Sequence, residues 1–566
     1  MTFTQWLLFF VAVQIIHFLG TWKLYVKAGR KAWEALIPIY NGVVLMQIIN
    51  RPKWWVILLF IPVVNLLMFF VIWIETIRTF GFYKKIDSAL VLSTLGFYIY
   101  YINYATAAKF NANRSIKPRS ELGEWVSSIT FAIIAATIVH TYFMQPFTIP
   151  TSSLEKTLLV GDYLFVSKFH YGARVPSSVI AAPMVHDSLP IVNTASYLKK
   201  PQLPYLRLPG IQKIKRNEIV CFNWPADSLK TMWGDNSGEF TYKPVDKKTN
   251  YVKRCVGIAG DTLELRNGFV YINGKKNKLP DRAKLQFYYK VYSSKGLSTR
   301  TVLKYAKKEF LRKFLVTFNS QDEFDTYRNM YRLERIKENK FYVTTDHKGI
   351  NKELIKAFKS NIKEVNLRVR NLNLTEELAK KIAKDENIDS IIKVINSADD
   401  AIFPNVKGYG WSQDNMGPIY IPKAGATIAL NSETLPFYEQ IIKNYEGNDL
   451  QVIDHNIFIN GEKANSYTFK QDYYWLMGDN RHNSLDARYW GFVPFDHVLG
   501  KPVMIWFSWD ADAPSFGEKI KSIRWDRMFT TVGGDGDPVS YRYVVFVLIG
   551  LYIGFNIFKN KKHKKV

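Results

Sequence analysis

The chain has 566 residues, about four typical domain lengths, so a single compact core is excluded as the whole solution. Apolar residues at 48% and aromatics at 15% exclude a disordered or collagen-like chain, and two cysteines are too few for a disulfide framework or a four-thiolate metal site. Lys and Arg number 76 against 49 Asp and Glu, a net +27 that suits nucleic acid, an anionic membrane or no particular partner, so the placement of charge has to decide.

From the first residue to Met144 the sequence holds several uncharged stretches long enough for the roughly 30 Å hydrocarbon layer, which takes about 20 helical residues. Residues 54–74, 88–108 and 125–144 are the clearest, and residues 1–22 form a fourth. That first stretch lacks a basic n-region and a small-x-small site before Lys23, so it reads as an uncleaved helix rather than a removable signal. Residues 35–50, interrupted by Pro38 and Gly42, read equally as a re-entrant segment or as a full crossing, which leaves the count at four or five. Residues 543–558 form a last apolar stretch, followed by Lys559, Lys561, Lys562, Lys564 and Lys565.

Positive charge beside membrane helices stays cytoplasmic. Lys109, Arg114, Lys117 and Arg119 before the 125–144 helix and the lysines after 558 place both flanks inside, and residues 145–542 outside. The loops at 23–31 and 78–85 are basic too, and no simple count of crossings puts all of them on one side; the N-terminal topology stays open.

The extracytoplasmic block reads mainly as β. Residues 217–222, 261–265, 269–272 and 454–459 are β-branched or aromatic runs bounded by Gly, Asn or Asp. Residues 268–274 (GFVYING) and 455–461 (HNIFING) each read as a strand ending in an Asn-Gly turn, similar enough to be noted and simple enough to have arisen independently. Residues 281–400 differ, with 26 basic and 17 acidic residues and helix-like patches at 301–314 and 376–395; Thr375 is a candidate helix cap, and the charge reads as a solvated face.

Three segments can carry chemistry. Residues 147–162 (FTIPTSSLEKTLLVGD) put a hydroxyl cluster just outside a membrane helix, although Thr151, Ser152 and Ser153 taken alone read as loop or capping residues. Residues 251–261 (YVKRCVGIAGD) place Lys253 and Arg254 in a strand-like run in which alternation turns one of the two inward. A buried lysine is pushed toward neutrality and can act as a base, which arginine cannot. Residues 477–494 (MGDNRHNSLDARYWGFVP) read as a tightly hydrogen-bonded loop. His482 invites a Ser-His-Asp reading with Asp479 or Asp486, but nothing in the sequence sets it against Ser153. No His/Cys/Asp/Glu set has metal-ligand spacing.

Together, and in this order, the three segments resemble the type I signal peptidases of bacteria, membrane-anchored serine proteases with a Ser/Lys dyad; residues 217–225 (NEIVCFNWP) resemble that family's strand ahead of the lysine. The resemblance covers about residues 125–509, with gaps. It implies Ser153 as nucleophile and Lys253 as general base. It implies Thr151 as an oxyanion donor beside the Ser153 N–H, and Ser484 as the residue that orients the lysine. Asp479, Arg481, Asp486 and Arg488 would hold the loop together, and Ile149, Leu154, Leu158 and Val252 would line pockets for small substrate side chains. Leu154 and Lys156 stand where the family usually has Met and Pro; the first is volume-conserving, while the second bears on efficiency and specificity.

The fold expected from all this is a membrane-anchored, mainly β catalytic domain of signal-peptidase-like fold with a mixed α/β insertion, preceded by a bundle of transmembrane helices and followed by one C-terminal transmembrane helix. Its divisions are an N-terminal membrane domain (1–108), a basic cytoplasmic linker (109–122), a transmembrane helix (123–145), a catalytic core in two parts (146–280 and 403–510) around the insertion (281–402), a linker (511–541), the last helix (542–558) and a basic tail (559–566). The function the resemblance implies is removal of signal peptides ending in small-x-small from exported preproteins, outside the plasma membrane of a bacterium, with no metal and no cofactor. Expected partners are preprotein signal peptides, membrane lipid and the export machinery, but no nucleic acid. A self-cleaving Ser/Lys repressor would need a DNA-binding segment and no membrane helices. A catalytically inactive membrane scaffold of the same fold is the alternative, and it would be expected to lack one member of the dyad.

Overall fold

The computed structural model describes residues 2–563 except 119, 193, 229–239, 307–309 and 360, and the side chains of 559–563 are also outside the description. Arg119 and the lysines of the C-terminal tail, used above to orient the chain, therefore lie outside the described residues or side chains.

Helix α1 (Phe3–Lys27) starts from Thr2, whose side chain accepts from the Gln5 N–H while Gln5 reaches back, a capping box. After it come five shorter helices, α2 (Tyr40–Ile48), α3 (Trp55–Leu58), α4 (Val64–Thr79), α5 (Lys85–Ser93) and α6 (Tyr98–Ala105), and then α7 (Glu121–Ile138). Two described helices, Phe3–Lys27 and Glu121–Phe143, have the length and apolar composition to cross a membrane. The stretches 54–74 and 88–108, expected as single spans, are each broken. Pro62 removes a donor and disfavours helix in the residue before it, and Val63 turns the chain at φ 70°. The second break falls at Leu95 and Gly96, both at positive φ. Residues 35–50 are not one continuous helix, because Pro38 and Ile39 (φ 68°) turn the chain into α2. The turns at 37–41 (IPIYN) and 61–65 (IPVVN) are near copies. In each, the Asn N–H donates to the Ile carbonyl four residues back, at 2.9 and 2.8 Å, and the Asn Oδ1 accepts from the next N–H.

These breaks gather the basic loops at one end of the domain. Arg51 and Arg114 both pair with Glu75, at 3.0 and 2.6 Å, Asn50 Nδ2 donates to the Ala112 carbonyl, the Asn111 N–H to Thr79, and Lys27 Nζ to Thr106. The other end meets the β-rich part of the chain: Trp6 Nε1 donates to the Gln202 carbonyl at 3.1 Å, and Val63 packs with Ala181 and Tyr197.

The β-rich part of the chain is organised by an eight-stranded antiparallel sheet. Its strands are β1 (Met144–Thr148), β2 (Asp162–Ser167), β3 (Ile219–Asn223), β4 (Asn250–Gly257), β5 (Tyr473–Met477), β6 (Val493–Pro494), β7 (Val498–Ser508) and β8 (Thr530–Thr531). The order is β1-β2-β7-β3-β4-β5-β6, with β8 on β7. The register sets Val220 opposite Lys253, and Arg254 opposite Met477, which brings the loop that leaves β5 directly over β4. The first half of β4 pairs only with β3, so on residues 250–253 one strand edge is left without a ladder partner among the described residues.

Both Asn-Gly segments are hairpins, Phe269–Ile272 with Lys275–Lys276 and Asn456–Ile459 with Glu462–Lys463, and the Asn and Gly of each turn have positive φ, as a tight two-residue hairpin requires. Residues 281–402 contain a three-stranded and a four-stranded sheet with short helices. Thr375 caps Glu376–Ile382 by accepting from the Leu378 N–H. Among the described residues, the helix expected over 301–314 is absent. A single turn, Thr299–Val302, is followed by strand Arg312–Thr317, whose alternating apolar residues pair with Lys340–Thr345 and Asn361–Glu364. The 376–395 patch likewise ends in strand Ser390–Lys393. The apolar stretch near the C-terminus is helical, Arg542–His563.

Candidate active site

A short 3₁₀ turn, Ser152–Leu154, follows β1 and presents Ser153, 8% exposed, to the face of β4. Lys253 Nζ is hydrogen-bonded to Ser153 Oγ at 2.6 Å, and Lys253 is 5% exposed. Burial lowers the lysine pKa from its usual 10.5 to about 8; Arg488 acts in the same direction, and Asp486 and Asp479 oppose it.

Alternation was expected to turn one of Lys253 and Arg254 inward, but both are buried, because each face of β4 is covered. Lys253 lies under the serine turn. Arg254 lies under the loop after β5, where Nε and Nη2 donate to the two oxygens of Asp479 at 2.7 and 2.6 Å and Nη1 donates to the Asn217 carbonyl. Burial alone would raise the Asp479 carboxyl; Arg254 and the Thr157 hydroxyl, which donates to Oδ2 at 2.6 Å, bring it below the usual range. Asp486 and Arg488 form a second buried bidentate pair at 2.8 and 2.7 Å, and Asp486 also accepts from the Gly478 N–H. Arg488 and Arg481 extend this frame through carbonyls, Arg488 to Arg481 and Arg481 to Gly268.

The loop holds the serine turn by its backbone. The Asn480 N–H donates to the Ser153 carbonyl at 3.0 Å, Asn480 Nδ2 to the Ser152 carbonyl, and Asn483 Nδ2 to Ser152 Oγ. Neither asparagine was singled out from the sequence, although both stand in the quoted loop; side-chain amides next to a hydroxyl turn were the available signal. Gly478 allows this approach, since a Cβ there would stand 2.6 Å from the Ser153 carbonyl and 2.2 Å from Ser484 Oγ. Ser484 is buried beside Asp486, and among the described residues no hydrogen bond joins its hydroxyl to Lys253. Thr151 is exposed at the start of the turn.

The four expected pocket residues come together. Ile149, Leu154 and Leu158 form one cluster with Leu164, Ile219 and Ile505, and Val252 packs against it. His482 belongs elsewhere: its Nε2 is 2.8 Å from Asp414, and its Nδ1 accepts from the Tyr288 N–H, so its carboxylate partner is neither Asp479 nor Asp486. Cys221 and Cys255 are buried free thiols. Among the described residues no three His, Cys, Asp or Glu side chains converge as metal ligands.

Lys156 stands at the third position of a turn closed by the Thr157 N–H to the Leu154 carbonyl, with φ 68°. Proline fixes φ near −65° and cannot adopt this conformation, so the turn here is of a kind that excludes it. Lys156→Pro is expected to lose more than about 1 kcal/mol of stability and Lys156→Gly to lose none, as read from unfolding in detergent.

A family model described as signal peptidase, peptidase S26, matches residues 122–349 and 421–509, more than half of the chain. The chain belongs to that family. A second model, a family of unknown function (DUF5684), matches residues 33–113, which include both Ile-Pro-x-x-Asn turns. Signal peptidase I of Rickettsia massiliae is 28% identical over 168 residues, 30% of this chain and 47% of that protein, so the match spans about half the length of this relative. Signal peptidase I of Buchnera aphidicola subsp. Acyrthosiphon pisum is 23% identical over 384 residues, 67% of this chain and 72% of that protein. Signal peptidase I of Helicobacter pylori is 22% identical over 418 residues, 72% of this chain and 91% of that protein.

Proposed function

We propose that this S26-family chain is a membrane-bound endopeptidase that removes N-terminal signal peptides from exported preproteins, with Ser153 as nucleophile and Lys253 as general base. The observation that carries the reading is the buried contact of Lys253 Nζ with Ser153 Oγ at 2.6 Å, with the lysine pKa lowered to about 8. The inactive-scaffold alternative has no comparable support, since both members of the dyad are present and in contact.

In the proposed mechanism neutral Lys253 accepts the Ser153 proton while Oγ attacks the scissile carbonyl. The Ser153 N–H and the Thr151 hydroxyl stabilise the oxyanion. The Lys253 ammonium then protonates the leaving amine, and the acyl-enzyme forms. Lys253 next takes a proton from water, the hydroxide attacks the ester, and the proton returns to Ser153 Oγ. The substrate enters as an added strand between β1 and the unpaired edge of residues 250–253, with its small side chains over Ile149, Leu154, Leu158 and Val252. Ser484, Asp479, Arg481, Asp486 and Arg488 are the proposed support of the lysine and the serine turn. The test is cleavage of a detergent-solubilised preprotein. Wild type should cut after small-x-small, and Ser153→Ala should not; a wild type that never cuts such a substrate overturns the reading.

The proposed orientation puts the end that gathers Lys27, Arg51 and Arg114 in the cytoplasm, and the catalytic domain outside the plasma membrane. Anchoring by α7 then holds the site at the lipid boundary, where a signal peptide and the export machinery present the scissile bond. Single cysteines replacing Lys31 or Lys53 should stay unlabelled by an impermeant maleimide on intact cells, while one replacing Lys284 should be labelled. Cys221 and Cys255, both buried, give little background. Labelling at Lys53 would reverse the orientation.

A further inference from the structure

A second concentration of positive charge lies away from the dyad. A half-open cavity of about 140 Å³ lies where the end of α7, the Pro62–Val63 turn and the segment after β2 meet, and its walls include Val63, Thr137, His140, Lys168, Arg174 and Lys247. Most of its polar groups are already engaged. Arg174 donates to Asn223 Oδ1 at 2.6 Å and to the Asp496 carbonyl at 2.7 Å, and Lys247 Nζ donates to the Val185 carbonyl at 3.2 Å. The one carboxylate in the wall, Asp246, accepts from the Ser177 hydroxyl at 2.7 Å and from the Ser178 hydroxyl and N–H. His186 Nε2 lies 3.0 Å from the Lys248 carbonyl.

Lys168 is the exception. It is 7% exposed, and among the described residues its ammonium has no hydrogen-bonding or ionic partner. A buried cation without a counter-charge is unfavourable, and this one also faces Arg174. Burial, and after it Arg174, lowers its pKa to about 7, with the Cys221 thiol opposing. The space is far below the roughly 300 to 1,000 Å³ of a drug-sized site, yet it holds a group the size of phosphate. Its α7 wall is the final two turns of a helix with the length and composition to cross a membrane, the level at which lipid phosphates lie.

We propose that this cavity binds a phosphate group, with Lys168 as its ion-pairing residue. Lysine suits the task as a compact point charge, and a hydroxyl at Thr141 and an amide at Gln145 line the same wall. A phospholipid headgroup or free phosphate would present the same chemistry, and the inference does not depend on the peptidase reading.

The test uses the full chain in phosphate-free detergent with two probes, inorganic phosphate followed by calorimetric titration and phosphatidylglycerol followed by native mass spectrometry. Wild type and Lys168→Arg are expected to bind one equivalent of at least one probe, and Lys168→Gln to bind it at least tenfold more weakly. Binding of the lipid alone identifies a headgroup site, and binding of both identifies a site for phosphate as such. Ala182→Leu, which narrows the cavity without removing a charge, should lose binding too and decides the matter if Lys168→Gln does not fold. Wild type binding neither probe, or both variants binding as wild type does, overturns the proposal.

Discussion

Lys253→Met is expected to lower kcat/KM for a preprotein by on the order of 10³ to 10⁴-fold, the scale of a lost general base, while the protein melts no earlier than wild type. Methionine keeps the volume of the stem and removes a charge that is costly to bury, so a fall in activity without a fall in stability separates catalysis from folding. The pH profile carries the sign. With the lysine pKa at about 8, the base form is scarce below that pH, so log kcat/KM should climb by about one unit per pH unit up to about pH 8 and then level. Lys253→Arg should remain inactive at every pH, because a guanidinium does not give up its proton. His482→Ala should stay within about tenfold of wild type, since that imidazole is committed to Asp414 and the Tyr288 N–H. An active Lys253→Met with an inactive His482→Ala would assign the base to histidine and end the dyad reading.

Asp479→Asn is expected to cost about 3 to 5 kcal/mol and to abolish activity with it, although it changes one atom. Arg254 is 1% exposed and directs three donors at Asp479 and the Asn217 carbonyl. Neutralising the carboxylate leaves a guanidinium stranded beneath the loop after β5, and the new amide turns a donor toward another donor. Asp479 also accepts from Thr157, three residues beyond the end of that turn, so the damage reaches Ser153. The double substitution Arg254→Met with Asp479→Leu removes both charges and should be more stable than either single one, which a thermal-unfolding cycle would read directly. Additive losses would mean that the pair contributes nothing as a pair.

The catalytic segments were legible because their residue types are demanded by chemistry: a serine in a short turn, a lysine in an apolar strand and a dense polar loop. The sequence could not tell that β4 is covered on both faces, because the cover over Arg254 comes from residues more than 200 positions away. The partner of His482 was hidden too, since Asp414 stands 68 positions before it and outside the quoted loop. Residues 301–314 were read as helix-like because a local window cannot weigh the two partner strands that claim Arg312–Thr317. In the N-terminal part, hydropathy reported apolar length but not continuity. Pro38 and Pro62 were visible, and the repeated Ile-Pro-x-x-Asn could have been read as a repeated turn, which would have explained why so many basic loops fall at one end.

The grip of Asn480 on the Ser153 carbonyl has a consequence in time. Ser153 is translated more than 300 residues before the loop that fixes it, and strand Gln286–Leu297, whose Gln286 exchanges backbone hydrogen bonds with Asp479 and Arg481, lies between them. At roughly 5–20 residues per second, the gap is on the order of tens of seconds, during which the Ser153 turn has no supporting frame. Closing such a loop is also a late event in folding, because its entropy must be met before its contacts form. A site assembled this way is complete only late, as the last third of the chain is made.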